Sequence, residues 1–62
     1  MAAQHCQFEI YTHAAGKYRW RLRAKNGEII ASGESYISKA GCESGIEAVR
    51  TCAKDAIIED KT

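Results

Sequence analysis

The clearest hydrophobic pattern in the chain lies between Lys17 and Gly33. In its first half, apolar and basic residues alternate without a break, which is the period of two that a half-buried strand shows. The apolar positions are Tyr18, Trp20, Leu22 and Ala24, and the basic positions are Lys17, Arg19, Arg21, Arg23 and Lys25. The pattern therefore predicts a strand with one core face and one solvent face.

A hairpin turn is predicted directly after this strand, at Asn26-Gly27. These two residues tolerate the positive φ that both central positions of a type I′ turn require. The resulting two-residue loop predicts the pairs Lys25 with Glu28, Ala24 with Ile29, Leu22 with Ala31 and Trp20 with Gly33. Apolar residues then face each other on the inner side, and we expect the Trp20 ring to cover Gly33, which has no side chain.

The segment from Gln7 to His13 predicts an earlier strand, because Phe8 and Ile10 alternate with polar neighbours. Ala14 to Gly16 then form the turn into the basic strand. If the two strands pair through this turn, the neighbours are Ile10 and Trp20, Phe8 and Leu22, and Glu9 and Arg21.

A helix is predicted from Lys39 to Lys54, with Ser38 as its N-cap. Its apolar stripe follows the helical spacing of four, three and four, at Cys42, Ile46, Val49 and Ala53. Gly45 lowers the helix propensity, so we expect a close approach of helix to sheet at that point.

The predicted fold is α+β: an antiparallel three-stranded meander, one helix and a short C-terminal strand at Ala56 to Ile58. Residues 7–60 form the single domain, residues 1–6 a mobile lead-in and residues 61–62 a tail. A chain of 62 residues buries a thin core, and such small folds usually need a disulfide, a metal or a partner chain as additional support.

The three cysteines, Cys6, Cys42 and Cys52, have irregular spacing and form no Cys-x-x-Cys pair. Cys42 and Cys52 lie about 15 Å apart along one predicted helix, too far for a disulfide within the chain. We therefore expect reduced thiols and no structural metal. No leader peptide and no run of membrane-spanning length is evident, so we expect a cytoplasmic protein.

Several short segments together resemble the YegP-like family of small uncharacterised bacterial proteins. They cover nearly all of the chain and are Phe8 to Tyr11, Tyr18 to Leu22, Asn26 to Ala31, Tyr36 with Ser38-Lys39, Gly45-Ile46 with Val49, and Asp55-Ala56. The resemblance implies a β(3)-α-β unit that occurs as a tandem repeat or as two copies of a single-unit chain. It also implies that two units exchange C-terminal strands to complete one sheet, so this chain is expected to form a homodimer. It implies no activity, cofactor or catalytic residue.

The basic strand holds five of the nine cationic residues. Nucleic acid, or a protein partner, is a possible ligand of its outer face, through Arg19, Arg21, Arg23, Lys25 and Tyr11. The alternative is a solvated strand face that Glu9 and the acidic tail partly neutralise. The net charge of +1 favours this alternative, because nucleic-acid modules usually have a pronounced basic excess.

The sequence carries no recognisable catalytic arrangement. His5, Cys6 and His13 lack an acidic residue at recognisable spacing, and we interpret them as incidental. A ligand groove lined by Tyr36 and Trp20 is one interpretation, but core and loop anchors are the commoner role of such residues. We therefore expect no enzyme, cofactor or metal, and rank a homodimeric accessory or protein-interaction module above a weak nucleic-acid binder.

Overall fold

A computed structural model describes residues 5–62 of the chain. The predicted lead-in falls largely on residues 1–4, which lie outside the described residues. The strands are β1 (Gln7–His13), β2 (Lys17–Arg23) and β3 (Ile29–Ser32), and the helix is α1 (Lys39–Asp55). The strands form one antiparallel sheet in the order β1-β2-β3. The predicted α+β meander with one helix is confirmed.

The first hairpin has the predicted register, with Ile10 opposite Trp20, Phe8 opposite Leu22 and Glu9 opposite Arg21. Its turn contains two consecutive residues with positive φ, Ala15 at 62° and Gly16 at 70°. The Lys17 N–H donates to the Ala14 carbonyl and closes the turn. This is the backbone pattern of a type I′ turn.

The second hairpin turn differs from the prediction. Of its residues only Gly27 has a positive φ, 89°, so Asn26 does not adopt the type I′ conformation. The Ala24 carbonyl accepts from the Gly27 N–H at 2.9 Å, and the Ala24 N–H donates to the Glu28 carbonyl at 2.8 Å. The loop therefore has three residues, and only glycine has to take the left-handed conformation.

A β-bulge restores the predicted register further from this turn. Arg23 lies opposite Ile29, whereas Leu22 lies opposite Ala31, so Ile30 is the additional residue in β3. The predicted pairing of Ala24 with Ile29 is thus wrong, and that of Leu22 with Ala31 is confirmed. The extra loop residue and the extra strand residue cancel each other, and both Ile29 and Ile30 are left exposed on β3.

The chain after β3 returns once to the sheet before the helix begins. The backbones of Tyr36 and Tyr18 exchange two hydrogen bonds, of 2.7 and 2.8 Å. This pairing holds the Tyr36 side chain against α1, where a Cβ on Gly45 would overlap the phenol ring.

The core is small and lies between α1 and the inner face of the sheet. Its buried side chains are Trp20, Cys42 and Ile46, of which Cys42 is fully buried. The half-buried residues packed against them are Phe8, Ile10, Tyr18, Leu22, Ala31, Tyr36 and Val49. The predicted thin core is confirmed, and Tyr36 and Trp20 are core and loop anchors within it.

Trp20 is the centre of this core. The Phe8 ring meets its indole edge-on, with centroids 5.5 Å apart and planes inclined by 69°. The indole covers Gly33 so closely that a Cβ there would overlap it. The Gly33 N–H donates to the Trp20 carbonyl at 3.1 Å. The predicted covering of Gly33 by Trp20 is confirmed.

Helix α1 begins as predicted, because the Ser38 hydroxyl accepts from the Gly41 N–H at 3.0 Å. Cys42 and Ile46 are buried and Val49 is half-buried, but Ala53 is exposed. The predicted apolar stripe is therefore one turn too long at its C-terminal end. Gly45 is explained by the Tyr36 ring rather than by contact between helix and sheet backbones.

The segment after α1 does not form the predicted fourth strand within a single chain. Ala56 is extended, with φ −70° and ψ 135°, and residues 56–62 have no regular secondary structure. Ile57 and Ile58 are 85% and 98% exposed, because no strand of the chain's own sheet is alongside them.

Candidate functional site

The outer face of the sheet is the surface that α1 leaves uncovered, and it carries the basic row predicted from the sequence. Arg19, Arg21 and Arg23 point to this side from β2 and are half-buried, whereas Lys25 is exposed in the loop after β2. Tyr11 joins them from β1, with the Arg21 guanidinium 4.6 Å from the centre of its ring. The structure thus brings four of the five predicted contact residues together.

Glu9 is held between two of these arginines. Its Oε1 atom accepts from Arg21 Nε at 2.7 Å and from Arg23 Nε at 2.8 Å. The predicted cross-strand pair of Glu9 and Arg21 is confirmed. Hydrogen bonds from Arg21 and then Arg23 stabilise the carboxylate and lower the pKa of Glu9 from 4.5 to about 2. The carboxylate is therefore ionised throughout the neutral and mildly acidic range.

The arginines also bind backbone carbonyls at the ends of β3. Arg19 donates to the Gly33 carbonyl through Nε at 3.2 Å and Nη2 at 3.0 Å. Arg23 donates through Nη1 to the Gly27 carbonyl at 2.6 Å. All three arginines thus have partners within the chain, and their guanidinium groups brace the sheet from its solvent side.

A shallow groove of about 500 Å³ runs along the β1 edge of the sheet, mainly on its inner side. Its lining residues are Phe8, Ile10, Tyr11, Thr12, Tyr18 and Lys39. The sequence did not predict this groove, because alternation indicates only that Phe8, Ile10 and Tyr18 face the core. Helix α1 packs more extensively against β2 than against β1, so Phe8 and Ile10 are only half-buried.

Five exposed isoleucines form the second feature that the sequence analysis largely missed. They are Ile29, Ile30, Ile37, Ile57 and Ile58, with exposed fractions from 52% to 98%. Only Ile57 and Ile58 had been assigned to an intermolecular strand. The bulge in β3 accounts for Ile29 and Ile30, and the sequence pattern carried no sign of that bulge.

The residues considered for metal binding or nucleophilic chemistry are not brought together. Cys6 precedes β1 and His13 ends it, so an extended strand separates them by about 24 Å. All three cysteines are free, and burial raises the pKa of the Cys42 thiol. In residues 5–62, no group of three or more His, Cys, Asp or Glu side chains is arranged to hold a metal ion. Within the same range, no helix has the length and apolar character needed to cross a membrane.

A helix on one face of a three-stranded meander and an open, braced outer face define a small two-layer α+β protein. Residues 14–60 match the family described as "Domain of unknown function (DUF1508)", and the chain belongs to that family.

Relatives in three organisms agree with this assignment. A "UPF0339 protein" of Treponema denticola is 60% identical over 52 residues, which cover 84% of this chain and 90% of the relative. A "UPF0339 protein" of Methanosarcina acetivorans is 50% identical with the same coverage. YegP of Yersinia pestis is 47% identical over 51 residues, or 82% of this chain and 44% of YegP. The predicted YegP-like membership is confirmed.

A solved structure shows the same fold. The NMR solution structure of a protein from Haloferax volcanii superimposes with a TM-score of 0.81 at 46% identity, covering 90% of this chain and 95% of that one. Methanosarcina and Haloferax are archaea, so the family is not confined to bacteria as the resemblance implied. The family's function is unknown, as expected from the sequence.

Proposed function

We propose that the chain works as a homodimeric accessory or protein-interaction module rather than an enzyme, and that two copies exchange the C-terminal strands Ala56 to Ile58. The observation that carries the proposal is the exposure of Ile57 and Ile58, at 85% and 98%. Two consecutive β-branched apolar residues in solvent are unfavourable, and pairing with another chain's sheet would bury them.

The lengths of the relatives support the same arrangement. The match spans 90% of the Treponema relative but only 44% of YegP, which therefore has room for about two such units. A tandem chain could make the exchange internally, whereas a single-unit chain needs a second copy. The free Cys6, Cys42 and Cys52 further support a module of the cytoplasm, where thiols stay reduced.

The size of the core gives an independent reason for dimerisation. Among residues 5–62 only three side chains are buried, and a domain of this length gains little net stability from its core alone. A partner strand would add backbone hydrogen bonds and apolar contacts without lengthening the chain. Dimer formation and folding are therefore expected to be coupled.

Light scattering after size exclusion tests the proposal, together with circular dichroism. We expect a dimer for the intact chain, and loss of both dimer and fold when the chain is truncated after Asp55. Truncation after Asp60 is the control and should leave the dimer intact. A well-folded monomer from the chain ending at Asp55 would refute the exchange.

A second experiment tests whether the isoleucines of the tail, rather than another exposed isoleucine, form the dimer contact. Ile57→Asp combined with Ile58→Asp should dissociate the dimer, because two carboxylates would have to be buried. Ile37→Asp changes a residue of similar exposure, 88%, outside the tail. Dissociation by the Ile37 variant, with a stable dimer for the tail variant, contradicts the exchange of C-terminal strands.

Weak nucleic-acid binding is the second candidate, with the contact residues Arg19, Arg21, Arg23, Lys25 and Tyr11. One observation favours it: Glu9 is the only carboxylate within the three strands, so positive charge on the outer face exceeds negative charge. Retention on single-stranded DNA should fall as salt rises and fall again for Arg21→Glu. Absence of retention at low salt would eliminate this candidate.

A further inference from the structure

The outer face of the sheet carries more hydrogen-bond donors than the chain itself uses. A guanidinium group has five N–H donors, yet among residues 5–62 Arg21 makes its only hydrogen bond through Nε. Arg19 uses Nε and Nη2, and Arg23 uses Nε and Nη1. Each of the three arginines therefore keeps at least one Nη group for water or for an acceptor from outside the chain.

Positive charge on this face is regularly spaced. Arg19, Arg21 and Arg23 occupy alternate positions of β2, so the row measures about 14 Å from first to last. Within the three strands, Glu9 is the only carboxylate that opposes it. A nucleic-acid strand carries one phosphate for about every 3.4 Å of its helix axis. A row of this length can therefore contact more than one phosphate at once.

Arg21 has the most firmly fixed guanidinium group of the row. Its Nε donates to Glu9 at 2.7 Å, and its guanidinium carbon lies over the Tyr11 ring, 4.6 Å from the centroid. The Arg21 side chain is 31% exposed. A planar group that is already held in one orientation loses little entropy when a second planar group stacks on it.

These properties favour an unpaired nucleic-acid strand over other anions. The bases of single strands stack on aromatic rings and on arginine planes, and an open sheet face gives them room to do so. Bases in a duplex are already stacked on each other. The carboxylates of an acidic peptide could pair with the arginines but would gain nothing from stacking.

Glu9 occupies the point on which two of the arginines converge. Its Oε1 atom accepts from Nε of both Arg21 and Arg23, at 2.7 and 2.8 Å. Phosphate oxygens prefer the same charged donors, so the carboxylate lies where a ligand phosphate would bind most favourably. Its negative charge also repels any anion that approaches the remaining Nη groups.

We propose that the outer face is a single-stranded nucleic-acid site centred on Arg21, and that Glu9 keeps its affinity low by occupying a phosphate position. The proposal rests on the second candidate function and specifies its site; it is independent of the exchange of C-terminal strands. A bound strand places a phosphate near the Nη groups of Arg21 and Arg23 and a base against the guanidinium group of Arg21.

Neutralisation of Glu9 is the direct test, with a single-stranded thymidine oligonucleotide of about ten residues as the probe. In fluorescence anisotropy at low salt, Glu9→Gln should bind about tenfold more tightly than the wild type. The slope of log affinity against log salt should steepen by about 0.7, because one more positive charge neutralises phosphate. Glu47→Gln makes the same charge change on α1 and should leave the affinity within about twofold.

A second measurement uses the wild type and does not depend on the stability of a Glu9 variant. On addition of the oligonucleotide, we expect the Nε–H signals of Arg21 and Arg23 to shift in heteronuclear NMR spectra. The signal of Arg50 on α1 should stay unchanged. Tyr11→Leu should weaken binding about fivefold or more, whereas Tyr11→Phe keeps the ring and should bind within about twofold of the wild type.

The outcomes separate this proposal from the candidate function on which it rests. If neither the wild type nor Glu9→Gln binds at low salt, both are overturned. If Glu9→Gln binds no more tightly than the wild type or than Glu47→Gln, the role of Glu9 is overturned and nucleic-acid binding remains. Polyglutamate that displaces the probe as well as unlabelled oligonucleotide does would assign the face to acidic peptides and overturn the proposal.

Discussion

The two faces of β2 arise from one alternating sequence but are stabilised in different ways. On the inner face, Trp20 is packed against Phe8 and Gly33, where shape decides which residues fit. On the outer face, Arg21 and Arg23 share the carboxylate of Glu9. Charge and donor geometry determine which residues can replace them there. The inner face should therefore be sensitive to volume at all pH values, and the outer face to protonation.

The largest difference is expected between Trp20→Ala and Arg21→Ala. Removing a buried tryptophan typically lowers the free energy of unfolding by about 3–5 kcal/mol, which would leave a domain this small largely unfolded. Arg21→Ala leaves Arg23 in place as a partner of Glu9 and should cost about 1 kcal/mol. Urea denaturation followed by circular dichroism measures both. Equal losses would remove the distinction between the two faces.

Alanine substitutions at two glycines of α1 test how closely the side chains of the inner face are packed. Gly45→Ala should lower the free energy of unfolding by about 1–3 kcal/mol, because the new Cβ overlaps the Tyr36 ring. The Cβ of Gly41→Ala would lie 3.1 Å from the Ser38 hydroxyl and 3.7 Å from the Tyr36 ring. A small shift of the Ser38 side chain relieves the closer contact, so this variant should gain up to about 1 kcal/mol from helix propensity. Thermal denaturation of both variants gives the comparison. Stabilisation by Gly45→Ala would show that the Tyr36 ring moves aside without cost.

The contribution of the outer face to the free energy of unfolding is expected to depend on pH. The pKa of Glu9 is lowered in the folded state, so its contribution to stability is fully present above about pH 4.5 and is lost as the pH falls through about 2. The difference in unfolding free energy between the wild type and Glu9→Gln should therefore be constant at pH 5–7 and shrink below pH 4.5.

Glu47→Gln provides the control for this measurement, because Glu47 pairs with Arg50 on the exposed side of α1. It should change stability only slightly at neutral pH, as exposed helix pairs do. A Glu9→Gln difference that stays the same down to pH 2 would contradict the role assigned to the two arginines.

The smallest expected effect belongs to Arg19→Lys. Lysine keeps the positive charge but replaces the two donors that reach the Gly33 carbonyl with a single ammonium group. We expect a loss of about 0.5 kcal/mol, seen as a small decrease in the melting temperature. A loss as large as that of Gly45→Ala would show that the outer face also depends on precise geometry.

The sequence predicted the strands well where alternation and pairing agreed. The register of Ile10 with Trp20 and of Leu22 with Ala31 followed from apolar residues facing each other. The type of turn at Asn26-Gly27 did not follow, because the same dipeptide fits a two-residue loop and a three-residue loop. The bulge at Ile30 compensates for the extra loop residue, so the register beyond it does not reveal which turn is present.

The candidate surfaces were predicted less completely, for a related reason. Alternation placed the arginines on one face, and strand pairing placed Glu9 beside Arg21. The carbonyl partners of Arg19 and Arg23 depend on where Gly33 and Gly27 come to lie, which no periodicity encodes. The groove along β1 depends on the lateral position of α1, and the close contact of Gly45 with the Tyr36 ring is a detail of that position which no sequence period encodes.

The burial of Trp20 gives the chain an optical property of its own. It is the only tryptophan, it is 5% exposed, and its indole Nε1 has no hydrogen-bond partner among the described residues. An indole in such dry surroundings emits at shorter wavelength than one in water and is poorly reached by dissolved quenchers. The intrinsic fluorescence of the unlabelled protein should therefore report whether the helix is seated on the sheet.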